Sequence, residues 1–233
     1  MRRDDPQTLI IDADDTLWEN NIYFEQAWDE FFLFLSHSRM GPEETRAIFD
    51  EIEIANIQVH GYGAKNFARN MVQCYRHLVE REIAPGDVEK IIGFADQILQ
   101  QPIEMMEGVE ETLAYLLERN HDLILFTKGH PEEQRLKIDR SPVGRFFREF
   151  EIVKEKDAAA YRELVSRFQL QPEITWMIGN SPKSDINPAL EAGLHAIFVP
   201  HERTWSLENV ELRAAGPGKL HIVETFWDLS RFF

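Results

Sequence analysis

The amino-acid sequence predicts an α/β protein: a doubly wound, parallel, five-stranded Rossmann-like sheet with an all-helical domain inserted near its N-terminus. Three observations predict it. From Glu107 onward, short apolar runs alternate with single amphipathic helical stretches, the pattern of parallel strands joined by right-handed helical crossovers. One further apolar run, Thr8 to Ile11, fits the same pattern but stands far ahead of the rest. Between residues 19 and about 104 no strand pattern occurs, so that block reads as an insertion into the sheet domain. The expected division is a core of residues 1–18 with 105–233 and an inserted helical domain of residues 19–104.

Each element follows from local pattern. Leu9-Ile10-Ile11 is the first strand, running into Asp12-Ala13-Asp14-Asp15-Thr16 and Leu17-Trp18. Phe24, Trp28, Phe31 and Leu35 recur at three- and four-residue spacing, the stripe of an amphipathic helix. Gly41-Pro42 ends that segment, and Pro42 suits the first turn of a second helix reaching about Ile57. After the loop His60 to Lys65, a third helix is expected from Asn66 to about Glu82, and a fourth from Asp87 to Gln100 beyond Pro85-Gly86. Helix Val109 to Arg119 leads to the strand His121 to Phe126, and helix Pro131 to Arg140 to the strand Phe150 to Val153. Asp157 can cap a helix carrying Tyr161, Leu164, Val165 and Phe168 on one face. The fourth strand is Ile174 to Ile178, followed by a helix from Asp185 to Ala192 that Gly193 stops. Ala196 to Val199 is the fifth. His221 to Val223 is a candidate edge strand, and Phe226 to Phe233 a closing aromatic turn.

Bulk properties narrow the function. The chain has 233 residues, 43% hydrophobic and 28% charged, as ordinary globular proteins do. A net charge of −16 argues against nucleic acid as a partner, and a bound anion would need a local cationic site. The single cysteine, Cys74, excludes an internal disulfide, and no apolar run is long enough to span a bilayer. The opening MRRDDPQ has no apolar region behind its basic residues, so no signal peptide is read and a cytoplasmic location is expected.

In doubly wound sheets ligands bind beyond the carboxyl ends of the strands. Those ends carry Asp12 and Asp14, then Thr127, then Lys154 and Lys156, then Asn180 and Asp185. Three carboxylates within four residues at the mouth of a buried strand need a cation, and a divalent metal is the obvious one. In this order the residues resemble the haloacid dehalogenase-like hydrolase superfamily, most of whose members are phosphatases. Asp12-Ala13-Asp14-Asp15-Thr16 matches its first motif, Thr127 its second, Lys156 its third, and Gly179 to Asp185 its fourth. The helical block resembles the cap these enzymes insert after the first motif.

The resemblance implies a Mg²⁺-dependent phosphatase acting on a small phosphorylated metabolite. Asp12 would be the nucleophile that forms an aspartyl-phosphate, and Asp14 the general acid and base. Thr127 and Lys156 would meet phosphoryl charge. Mg²⁺ would be held by Asp12, the Asp14 carbonyl, Asn180 and Asp185. Asn180 stands where an aspartate is most usual, which predicts weaker metal binding. Lys128 stands where a small or amide residue is common, either drawing in the substrate anion or pointing to solvent. Lys154 is a second candidate for the third motif, though spacing to Asp157 favours Lys156. Tyr62 and Lys65, in the glycine-rich loop of the cap, are candidates for contact with the leaving group. Trp18 is expected at the entrance, at a hinge or in the core. Two other readings stay open: a 2-haloacid dehalogenase-type hydrolase, against which Asp14 argues, and a non-catalytic binding or regulatory protein that keeps the fold.

Overall fold

The computed structural model describes residues 5–36, 39–213 and 216–233. Arg2 and Arg3 of the N-terminal segment lie outside the described residues. Six strands, β1 (Thr8–Ile11), β2 (Asp122–Lys128), β3 (Glu149–Val153), β4 (Thr175–Gly179), β5 (His195–Phe198) and β6 (Leu220–Ile222), form one parallel sheet in the order β3-β2-β1-β4-β5-β6. The sheet therefore has one strand more than the five expected, because the tail segment completes the β5 edge. The order reverses direction at β1, so the loops after β1 and β4 diverge from a shared point, the usual place for a ligand.

β1 is apolar on both faces because helices cover both. Leu9 and Ile11 pack with Leu123, Leu125, Trp176 and Ile178 against α5 (Val109–Glu118) and the aromatic tail, through Leu113, Phe226 and Phe233. Ile10 points the other way, to Phe126, Met177 and the Tyr161–Leu164 face of α7 (Ala158–Phe168). Each such side chain contributes about 1.5–3 kcal/mol of burial, which fixes the register and with it the position of the residues after Ile11. Asp157 caps α7 as its sequence suggests, accepting from the Ala160 amide at 2.8 Å.

The chain divides into two compact units, residues 1–21 with 103–233, and residues 22–102. The first unit holds both crossings side by side: the Glu19 amide donates to the Glu104 carbonyl and the Met106 amide to the Leu17 carbonyl, each at 2.9 Å. The second unit is built from α1 (Asn21–Leu35), α2 (Pro42–His60), α3 (Ala64–Leu78) and α4 (Asp87–Asp96). Its core is aromatic, with Trp28 4.8 Å from Phe49 and Phe49 5.1 Å from Phe67 between ring centres. α3 ends at Leu78, before the expected Glu82. Pro85 disfavours helix at the residue before it, and the Asp87 carboxylate draws in Tyr75, Arg81 and the Ala84 amide, at 2.7, 2.8 and 2.7 Å. Among the described residues no helix is long and apolar enough to cross a membrane.

Candidate active site

Asp12 is the first residue beyond β1, anchored by its amide to the Ile178 carbonyl of β4 at 2.9 Å. Its carboxylate is buried, and so is Lys156, which follows β3. The Lys156 ammonium donates to Asp12 Oδ1 at 2.5 Å and to Asp185 Oδ1 at 2.6 Å. Lys154, the other candidate of that segment, is exposed. Thr16 closes the far side of Asp12. Its hydroxyl lies 3.0 Å from Asp12 Oδ2 and 3.2 Å from Asn180 Oδ1, with one proton to share between them, and accepts from the Asn180 amide at 3.2 Å. The Asn180 side-chain amide donates in turn to Thr204 Oγ1 at 2.9 Å.

Asp185 reaches this centre through a wide π-type turn, Pro182–Ile186, in place of the regular helix start its sequence suggests. Only five residues of regular helix follow, α8 (Asn187–Glu191). Ser181 opens the turn by accepting from the Ser184 amide, and its own amide donates to Asp185 Oδ2 at 2.9 Å. Gly179 is required by this fold-back: a Cβ there would lie 2.2 Å from Asp185 Oδ2.

Two carboxylates thus share one ammonium in a buried site. Burial, then the neighbouring Asp12 charge, push the Asp185 carboxyl up to about 7 against the pull of Lys156. Burial also works against the Lys156 charge, but the two carboxylates outweigh it and hold the ammonium above its ordinary range. Hard oxygen donors from Asp12, Asn180 and Asp185, carrying one negative charge more than Lys156 compensates, suit Mg²⁺.

Asp14 faces a different partner. Lys137 donates to its Oδ1 at 2.6 Å and its Oδ2 at 2.5 Å, Gln134 Nε2 to Oδ2 at 2.9 Å, and Trp18 Nε1 to Oδ1 at 2.8 Å. Trp18 is wholly buried, so it lines no entrance; it packs in the core and spends its one polar atom on Asp14. Asp15 adopts φ of 58° and accepts from the Asn20 and Asn21 amides at 2.9 Å each, tying down the start of α1. Burial raises its carboxyl to about 7 even so. Asp15, Glu19 and His201 each bring a donor atom within 4.8 Å of the other two.

Thr127, next to the end of β2, is buried and accepts from Gln134 Nε2 at 3.2 Å, leaving its hydroxyl proton to donate. Lys128 does not point into solvent: its ammonium donates to Glu208 Oε1 at 2.6 Å and to Ser184 Oγ at 2.9 Å. Glu208 also accepts from Ser181 and Ser184. Burial pushes its carboxyl up, but Lys128 and these hydrogen bonds win and hold it below the usual glutamate range. Tyr62 and Lys65 lie in the other unit, Tyr62 on the turn between α2 and α3 and Lys65 in the first turn of α3, where Asn66 Nδ2 donates to the His60 and Tyr62 carbonyls at 2.5 and 3.1 Å.

The structure therefore gathers Asp12, Asp14, Thr127, Lys128, Lys156, Asn180 and Asp185 at one end of one sheet, and adds four residues that the sequence pattern does not single out. Gln134 and Lys137 lie three residues apart in the helix that follows the second motif, α6 (Pro131–Arg140), whose many charged residues give it the pattern of solvated surface. Thr204 and Glu208 come from a loop with no periodicity and carried no signal.

Comparison with known proteins agrees with this geometry. No curated protein matches the chain significantly. A haloacid dehalogenase-like family hydrolase from Xanthomonas campestris is similar over 97% of this chain and 93% of its own, at 30% identity and a TM-score of 0.81. Two more distant structures share the fold. A predicted phosphoglycolate phosphatase from Haemophilus somnus is 16% identical with a TM-score of 0.66. A 2-haloacid dehalogenase from Pseudomonas syringae is 15% identical with a TM-score of 0.61. Each covers 97% of both chains. The family model for haloacid dehalogenase-like hydrolases matches residues 6–193, from the strand before Asp12 past the turn that carries Asp185, and the chain belongs to that family.

Proposed function

We propose that the protein is a Mg²⁺-dependent phosphatase that hydrolyses a small phosphorylated metabolite through an aspartyl-phosphate on Asp12. The observation that carries this reading is the pair of carboxylates two residues apart in separate environments, Asp12 on Lys156 and Asp14 on Lys137 and Gln134. A carbon–halogen hydrolase needs the first carboxylate and has no leaving-group oxygen for the second to protonate. A phosphate ester needs both.

Asp12 attacks phosphorus as the ester bond breaks, and Asp14 gives its proton to the leaving oxygen. Water then attacks the phosphorus of the aspartyl-phosphate, Asp14 takes its proton, and Asp12 is released with phosphate. Asp14 thus ends each cycle holding the proton that the next one spends. Lys156 keeps the nucleophile ionised and oriented and meets phosphoryl charge, and the Thr127 hydroxyl donates to a phosphoryl oxygen. Asp12, the Asp14 carbonyl, Asn180 and Asp185 would hold Mg²⁺, which would supply the charge that lets an anionic nucleophile meet an anionic ester. We take the helical unit to be a cap that sets the choice of leaving group, with Tyr62 and Lys65 as its contacts.

The test is hydrolysis of p-nitrophenyl phosphate with and without Mg²⁺, beside halide release from 2-chloropropanoate, with Asp12→Asn as the blank. Metal-dependent phosphate release by the wild type alone supports the reading. Halide release, or no turnover of either compound, refutes it.

A further inference from the structure

Asp14 is held more tightly than a loop carboxylate ordinarily is. Lys137 spans both its oxygens and places a third donor on Asn20 Oδ1 at 3.0 Å. Gln134 is 4% exposed, and its Nε2 lies 2.9 Å from Asp14 Oδ2, 3.2 Å from Thr127 Oγ1 and 2.7 Å from the Lys128 carbonyl. One amide thereby ties the Asp14 carboxylate, the Thr127 hydroxyl and the end of β2 together. Gly129 makes room for it: a Cβ there would lie 2.8 Å from Gln134 Nε2. Gln134 and Lys137 are three residues apart on α6 and so share one helix face.

We propose that Gln134 and Lys137 are positioning residues for Asp14, fixing the direction from which its carboxyl meets the leaving oxygen; this rests on the phosphatase reading above. Their fixed donors come from a helix braced on the sheet, so the carboxyl is aimed before substrate arrives, which is where orientation yields rate. An ordinary ion pair joining α6 to the loop after β1 would lower stability when cut, and nothing more. A positioning pair has a further signature. Protonation of the leaving oxygen matters most when that oxygen is a poor leaving group, and least when it departs readily as p-nitrophenolate.

The experiment compares kcat/KM, which reports the steps up to the aspartyl-phosphate, on a primary alkyl phosphate and on p-nitrophenyl phosphate, for the wild type, Lys137→Met, Lys137→Arg and Gln134→Met. Positioning predicts a loss of about 10²-fold or more on the alkyl ester in Lys137→Met, at least tenfold greater than the loss on the activated ester. Lys137→Arg, which keeps the charge and two forked donors, should recover part of the alkyl activity. Equal losses on both esters, or none, would overturn the inference while leaving the phosphatase reading intact. Wild-type enzyme inactive on both esters would instead bring down that reading. Thermal denaturation identifies any variant that fails to fold, and should Lys137→Met be one, Gln134→Met carries the same ester comparison.

Discussion

Glu53 offers a perturbation whose size follows from its surroundings. It lies on α2 inside the helical unit, is 7% exposed, and its Oε2 has no hydrogen-bond partner. Burial is the main cause that lifts its carboxyl from 4.5 to about 7; Arg46 and Asn70 pull it back, and Asp50 and Glu25 add to the rise. The folded chain thus holds this proton more tightly than the unfolded chain. Its contribution is fully favourable below about pH 4.5 and is lost as pH rises through about 7. The ionised form is penalised by about 3 kcal/mol once pH exceeds 8. Glu53→Gln keeps the shape and cannot ionise. Urea denaturation followed by far-ultraviolet circular dichroism should therefore give similar stabilities at pH 5, and a variant more stable by about 2–3 kcal/mol at pH 8.5. Parallel pH profiles for wild type and variant would refute the argument, since they would mean that Glu53 ionises in the fold as freely as in water.

Three further outcomes follow from the site. Lys156→Ala should lower phosphate release by orders of magnitude and Lys154→Ala hardly at all, since only Lys156 touches Asp12 and Asp185; the reverse ranking in a steady-state assay would show the wrong lysine had been assigned. Glu208→Ala should cost about 3 kcal/mol by removing the counter-charge of the Lys128 ammonium, and Lys128→Met in the same chain should restore much of it in a double-mutant cycle of denaturation midpoints. Gly129→Ala should lower kcat/KM on alkyl phosphates more than on p-nitrophenyl phosphate, because φ of 146° and the approach to Gln134 both resist a side chain there; equal kinetics to wild type would count against the role given to Gln134.

What could be read from the sequence was whatever obeys a period or a short spacing. β1 was legible because Leu9, Ile10 and Ile11 must be apolar on both faces, and Asp12 followed from where that strand stops. The aromatic stripe of α1 was legible for the same reason, as was the cap of α7 at Asp157. Lys137 was not, because a lysine on a helix full of charged residues looks like solvated surface until the fold shows which way that face points. Lys128 misled in a related way: its position beside Thr127 suggested an open cation, whereas its counter-charge, Glu208, comes from a loop eighty residues later. Such pairings across long separations are fixed by the sheet order, which local pattern does not encode.

Charge balance shows where Asn180 matters. Asp12, Asp14, Asp185 and Glu208 face Lys156, Lys137 and Lys128. Lys128 is matched to Glu208 and Lys137 hydrogen-bonds Asp14, so at the centre itself Asp12 and Asp185 carry one negative charge more than Lys156 compensates, which is the place for a divalent cation. An aspartate at position 180 would double that excess, and would also lose the donor that Asn180 gives Thr204. Asn180→Asp should therefore lower the melting temperature in the presence of a chelator. It should also raise Mg²⁺ affinity about tenfold, so that saturating Mg²⁺ stabilises the variant by about 1.4 kcal/mol more than the wild type. Differential scanning calorimetry with and without Mg²⁺ measures both effects. An equal Mg²⁺-dependent shift in the two proteins would place the ion away from Asn180, and the asparagine would then be there to hold Thr16 and Thr204 in place, with no part in metal binding.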